Sequence, residues 1–306
     1  MSVVSIYKES LKPMKQEAHT PTTKPADIID AANEAFGEVK KVENTPSKLA
    51  IKVTAFFQWL LPPVFGLLLL LAIWGLISSQ TQGLPGPVKT WHSAVELFAH
   101  PFYSNGPNDQ GIGWNILASL KRVGLGFGMA ALVGIPLGFM IGRFEFLNRM
   151  TAPVISLLRP VSPLAWLPIG LLVFKAANPA AIWVIFISAI WPMIINTAVG
   201  VSKVPQDYMN VAKVLNLSEW KIVTKILFPS VLPYMMTGIR LSIGVAWLVI
   251  VAAEMLTGGV GIGFWVWDEW NNLNVEHIII AIFVVGIVGL LLEQTLIAIA
   301  NRFSYE

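Results

Sequence analysis

The chain contains no cysteine, and only 13% of its 306 residues are charged, about half of what a soluble domain carries. Without cysteine there is no disulfide framework, no thiol nucleophile and no cysteine-ligated metal or iron–sulfur cluster. The four histidines, at 19, 92, 100 and 277, are scattered and form no H-E-x-x-H pattern, so a metallohydrolase site has no support. Gly is never followed by Lys, which excludes the G-x-x-x-x-G-K-[ST] phosphate loop; any ATP is handled by another chain. The net charge of +3 comes from dispersed basic residues, whereas nucleic-acid binding calls for a clustered patch.

What the chain does have is apolar length. Hydrophobic residues make up 55% of it. A bilayer-crossing helix needs about 20 apolar residues, and six stretches qualify: 56–77, 116–142, 152–174, 179–201, 231–257 and 277–300. They read as helices, because backbone polar groups in lipid must be satisfied within the segment. The expected class is an all-α, polytopic membrane protein. Residues 1–54 are polar and carry Pro13, Pro21, Pro25 and Pro46, which reads as a largely mobile tail. Within it, 27–39 has the pattern of a short amphipathic helix.

Lysine and arginine in short loops orient such a protein, with the excess on the cytoplasmic side. With the N-terminus inside, the inner segments hold eight Lys before residue 55, Arg143, Arg149, the four Lys of the loop after the fourth span, and Arg302. The outer segments hold Lys89 and Lys175, with Lys121 and Arg122 at a helix entrance. Both termini are therefore expected in the cytoplasm, and the membrane is expected to be the inner one.

One cytoplasmic segment, 203–229, is too polar to span and too patterned for a linker. Pro205 suits a first helical turn. Met209, Ala212 and Leu215 recur on one helical face. Asn216 tolerates the left-handed conformation that ends a helix. Ser218 can cap a second helix bearing Ile222, Ile226 and Leu227, and Pro229 is expected to stop it. The segment predicts a helix–turn–helix with an apolar ridge, either lying on the membrane or docking a cytoplasmic partner.

This segment resembles the cytoplasmic motif of ABC importer permeases, EAA-xxx-G, nine residues, then I-x-L-P. At that spacing the chain has Asn210-Val211-Ala212, Asn216 and Ile226-Leu227-Phe228-Pro229. Ala212, Ile226 and Pro229 match by identity, while Asn210, Val211, Asn216 and Phe228 depart. SLKRVGLGF (119–127), LRPVSPLAWLPI (158–169), GIRLSIGVAWLVIVAAEM (238–255) and GGVGIGFWVWDEWNNLN (258–274) are similar to the nitrate/sulfonate/taurine/bicarbonate branch of these permeases. The WDEWNN stretch is most similar to the nitrate and bicarbonate permeases of cyanobacteria. The resemblance covers about 110–306. It implies a type I ABC importer permease fold and a second permease copy. It also implies two ATPase subunits that bind ATP and Mg, and an extracytoplasmic binding protein that delivers a small anion, nitrate or nitrite ahead of bicarbonate. Asn210, Val211, Ala212, Leu215, Asn216, Ile226 and Pro229 would form the ATPase-coupling loop. A stand-alone channel or secondary carrier is the rival; the patterned loop and the lack of an inverted repeat speak against it.

Charges inside spans cost about 2.5–3.5 kcal/mol on insertion scales and need a reason. Arg159 and Arg240 lie at similar depths of the third and fifth spans, and their planar guanidinium suits a planar oxyanion. They are expected to line the inner anion path, or to pair with Glu293. Lys121 and Arg122 would form a positive outer vestibule, or pair with Glu254. Pro160, Pro163 and Pro168 break the third span at Arg159. Gly134, Gly138 and Gly142 form a close-packing surface within one subunit. Gly258, Gly259, Gly261 and Gly263 follow a helix, not a strand, and read as a re-entrant turn. Trp265, Trp267 and Trp270 read as headgroup-level anchors, or as a contact for the delivering protein.

Overall fold

The computed structural model describes residues 48–107 and 109–303. The amphipathic reading of 27–39, and most of the tail, fall outside the described residues. The chain divides into two units, Met1–Leu67 and Leu68–Glu306. The described part of the first unit is helical from Lys48, which lies inside the stretch read as tail. That helix, α1, runs Lys48–Gln80.

The second unit continues with α2 (Pro87–Ala99), α3 (Ile112–Arg143) and α4 (Glu145–Leu158). A 3₁₀ turn (Pro163–Trp166) leads to α5 (Leu167–Phe174) and α6 (Ala177–Ser202). A short hairpin follows, of α7 (Gln206–Val214) and α8 (Glu219–Ile222). Then come α9 (Phe228–Thr257), α10 (Ile262–Asn271) and α11 (Val275–Phe303). Among the described residues, five helices are long and apolar enough to cross a membrane. The sixth crossing exists only as a bent pair, α4 with the 163–174 segment, whose axes differ by 95°.

The three prolines explain this bend. Proline lacks an N–H and belongs in a helix's first turn, not its interior. Pro163 opens the 3₁₀ turn and Pro168 sits in the first turn of α5, while Pro160 stands just past α4. The stretch 152–174 is thus two helices meeting at a corner, and the first of them begins earlier than expected, at Glu145.

The core lies where α6 packs against α3 and α9, with Ile185, Met193 and Ile250 fully buried. Close approach depends on a glycine row on α3. A Cβ on Gly138 would stand 2.6 Å from the Thr197 Cβ, and one on Gly142 would stand 2.6 Å from the Ala198 carbonyl oxygen. The row therefore packs within one chain, as its spacing predicts. Hydrogen bonds between spans reinforce the contact: Ser242 donates to the Ala189 carbonyl at 2.6 Å, and the Trp247 indole to the Val285 carbonyl at 2.8 Å. Such bonds matter in lipid, where packing and polar contacts replace the hydrophobic drive.

Two elements depart from the sequence reading. Helix α2 went unrecognised. Trp265 is 5% exposed and stacks on His277, with ring centroids 5.6 Å apart; only Trp267 and Trp270 are exposed, as membrane anchors would be.

Candidate functional site

Three places carry the residues singled out from the sequence. The first is the α7–α8 hairpin. Pro205 occupies the cap position and α7 starts one residue later. Asn216 takes the left-handed conformation with φ 47°, and the Leu217 amide reaches back to the Ala212 carbonyl at 3.0 Å, a helix-ending pattern. Ser218 stands at the start of α8 but makes no side-chain cap.

Pro229 does not stop the second helix. It lies in the first turn of α9, immediately after a π-turn at Val223–Leu227. The wider π register supplies a turn where proline's missing donor interrupts the ladder. The hairpin's second arm therefore runs into the span α9.

The expected apolar ridge faces inward. Ala212 is fully buried, and Met209, Ile222 and Leu227 nearly so. They pack with Val201, Val231 and Met235 at the ends of α6 and α9. Leu215 is 63% exposed. The outward face instead carries Tyr208, Val211, Val214, Leu215 and Trp220, with Asn210 and Asn216 beside them. A shallow depression of about 300 Å³ between Tyr208, Val211, Lys225, Ile226 and Pro229 adjoins it. Arg143, at the end of α3, bonds the Glu219 carboxylate at 3.1 Å and ties the hairpin to a span. Spacing could give the helix but not which face it turns outward, because the packing partners come from α6 and α9.

The second place is the corner after α4. A cavity of about 450 Å³ opens there, lined by Arg159 to Pro163 and by residues of α6 and α9. Ser162, Ser188 and Asn196 give it polar points, and Trp191, Leu241 and Val245 apolar walls. Arg159 is exposed, and among the described residues it has no carboxylate partner. The Arg–Glu293 pairing considered from the sequence is absent among the described residues, and both Arg240 and Glu293 are exposed. Arg240 precedes Leu241 but is not itself part of the cavity wall.

The third place is at the other end of α9. Glu254 is 1% exposed. It accepts from Ser119 Oγ at 2.7 Å, from Arg122 at 2.5 Å and from the Gly263 amide at 3.0 Å. Ser119 in turn accepts from the Ile262 amide at 2.9 Å, and Asn115 Oδ1 from the Gly261 amide at 2.8 Å. Arg122 also donates to Asn178 Oδ1 at 2.7 Å. Positive φ at Gly258 and Gly259 turns the chain back so that α10 re-enters beside α9. A Cβ on Gly263 would stand only 2.0 Å from the Val251 carbonyl oxygen. Arg122 is therefore committed to Glu254, while Lys121, on the next face of α3, is exposed and without an ion-pair partner among the described residues. Asn115, Ser119 and Asn178 were missed: small polar residues on an apolar helix give no signal until the carboxylate they serve is known. Among the described residues no cluster of His, Asp and Glu could hold a metal.

The comparisons agree with this architecture. Residues 134–304 match the family described as "Binding-protein-dependent transport system inner membrane component". The chain is 50% identical over 233 residues to the nitrate import permease protein NrtB of Synechocystis sp., covering 76% of this chain and 85% of the relative. It is 48% identical over 239 residues to the bicarbonate transport system permease protein CmpB of the same organism, covering 77% and 85%. Its fold is similar to a chain of the MetNI methionine ABC transporter solved in an inward-facing conformation, with TM-score 0.56 and 13% identity, covering 62% of this chain and 95% of that one. The chain belongs to the binding-protein-dependent transport system inner membrane components, the permease subunits of ABC importers.

Proposed function

We propose that this chain imports nitrate or nitrite across the inner membrane, as a homodimer with both termini in the cytoplasm. As an importer permease it is the translocation component. ATP is hydrolysed on separate ATPase subunits, and a substrate-binding protein is a further partner. The finer assignment is that two ATPase copies, carrying ATP and Mg, dock on the outward face of α7 and α8. Their closure pulls on the hairpin. The pull reaches the spans through the continuous α8–α9 arm and through Arg143–Glu219.

The observation that carries the anion assignment is the cavity at the corner after α4. A guanidinium there, on a bend and unpaired among the described residues, offers a flat array of donors to a flat oxyanion. Irregular backbone at membrane depth is tolerated where it lines a cavity. Arg159 thus lines the inner half of the path, Arg240 flanks it, and Lys121 attracts anions at the far end. Arg122 serves the architecture and not the path.

Bicarbonate is the second reading, because the bicarbonate relative is nearly as similar as the nitrate one. Both anions are planar and singly charged. Uptake of labelled nitrate and labelled bicarbonate, in cells producing the complete importer with and without this chain, separates the two. Chain-dependent bicarbonate uptake without nitrate uptake sinks the nitrate assignment.

A further inference from the structure

Helix α2 (Pro87–Ala99) divides into three sectors. Thr90 is buried, and Ala94 and Leu97 pack towards the core. Lys89, His92 and Glu96 form a polar, exposed sector. Between these two, Val88, Trp91, Val95 and Phe98 are 73%, 70%, 56% and 48% exposed. At 3.6 residues per turn these four fall within an arc of about 80°, so they make one apolar stripe without a charge.

The level of this helix is fixed by its neighbours. It begins seven residues after α1 ends. The Trp74 indole of α1 bonds the Pro85 carbonyl at 3.1 Å, and Lys89 is ion-paired to Glu276 in the first turn of α11. The first turn of α11 lies at the end of the bundle where α9 finishes, opposite the α7–α8 hairpin. Thus α2 lies where two spans emerge from the membrane. Those spans are apolar and exposed close by, at Leu76 and Ile77 of α1 and Ile282 of α11.

We propose that α2 is an interfacial helix whose Val88–Trp91–Val95–Phe98 stripe is seated in the lipid bilayer, at the headgroup–acyl boundary of the leaflet opposite the hairpin. The sectors match the three surroundings at that level: protein on one side, lipid on the next, water on the third. A helix of strong amphipathic character lying in the membrane plane buries its apolar face at this boundary. The Trp in the stripe suits the headgroup level, as do exposed Phe102 and Trp114, which follow in the chain and pack edge to face at 5.5 Å. The same four side chains would otherwise leave a contiguous apolar patch in water.

This chain contains no cysteine, so an introduced cysteine is the only one it carries, and the test uses partner subunits from which cysteine has been removed. V95C, W91C and E96C are each spin-labelled in the whole importer, reconstituted in phosphatidylcholine liposomes. Collisions with oxygen, which concentrates in lipid, are compared with collisions with a water-soluble nickel chelate. The expected result is a several-fold higher oxygen-to-nickel ratio at Val95 and Trp91 than at Glu96. A Val95 ratio equal to that of Glu96 overturns the proposal in favour of a water-facing stripe. Labels at Val95 and Trp91 that neither reagent reaches overturn it in favour of a protein partner or a second copy. All three positions are exposed, so labelling does not disturb the core, and unchanged uptake by each labelled importer verifies its folding.

Discussion

The guanidinium of Arg122 on α3 lies 2.5 Å from a carboxylate oxygen of Glu254 on α9, and both groups are inside the packed end of the bundle. The carboxylate also receives Ser119 and the Gly263 amide, so one acidic group joins α3, α9 and the start of α10. Removing one partner of a buried pair leaves an uncompensated charge and costs about 3–5 kcal/mol, whereas removing both can be nearly neutral. Arg122→Gln and Glu254→Gln are therefore each expected to lower the melting temperature of the purified permease strongly. The double variant should recover much of the loss. Additive losses in the double-mutant cycle would show that the two groups do not act as a pair.

Arg159 makes the opposite prediction. It is exposed at the cavity and has no carboxylate to support, so Arg159→Gln should leave assembly and melting temperature unchanged. Anion uptake should fall. A hydrogen bond to a charged group contributes about 1.5–3 kcal/mol, which corresponds to about tenfold or more in transport. Arg159→Lys keeps the charge but loses the planar fork, and should recover uptake only partly. Unchanged uptake by the Gln variant removes Arg159 from the path.

The two arginines also show what the sequence could and could not yield. Run length and hydropathy picked out the five long apolar helices, because lipid imposes a minimum apolar length on any helix that crosses it, but counted the bent pair as one span. The glycine row announced close packing within one subunit, since only a missing Cβ allows it, but which helix packs there is known only from the structure. The pairing of charges was harder to read. Glu254 had two candidate partners, Lys121 and Arg122, and Glu293 had two others, Arg159 and Arg240, and linear depth along a helix does not say which way a side chain points. Helix α2 was invisible for a related reason: its 13 residues are too short to register as a span and its apolar residues share the helix with polar ones. The corner after α4 was half legible. Three prolines announced a break, but the 95° turn follows from how both halves pack on their neighbours.

At the hairpin the structure redirects the obvious substitution. Ala212 is fully buried beneath α6 and α9, so Ala212→Asp buries an unpaired carboxylate and is expected to unfold the hairpin itself. Val211→Asp and Val214→Asp, at 56% and 84% exposure, change only the outward face. Each should leave the permease folded and reduce the ATPase subunits that co-purify with it. Full retention of ATPase by both variants would place the docking surface elsewhere, whatever Ala212→Asp does.

The α3–α6 contact makes the last prediction. The Cα of Gly138 is so close to α6 that an added Cβ would meet the Thr197 side chain at 2.6 Å and the Ile194 carbonyl oxygen at 2.8 Å. The carbonyl is fixed by its own helix and cannot yield as a side-chain tip can. Gly138→Ala should therefore force the two helices apart, with an overpacking cost of about 1–3 kcal/mol, and Gly138→Val should do more. Gly128, also on α3, has open space at the same test, and Gly128→Ala should be tolerated. Both glycines carry the same helix-propensity change to alanine, so that term cancels between them. The difference in melting temperature between the two alanine variants therefore reports the interhelical contact alone, and equal values would show that α3 and α6 are not packed as closely as this geometry requires.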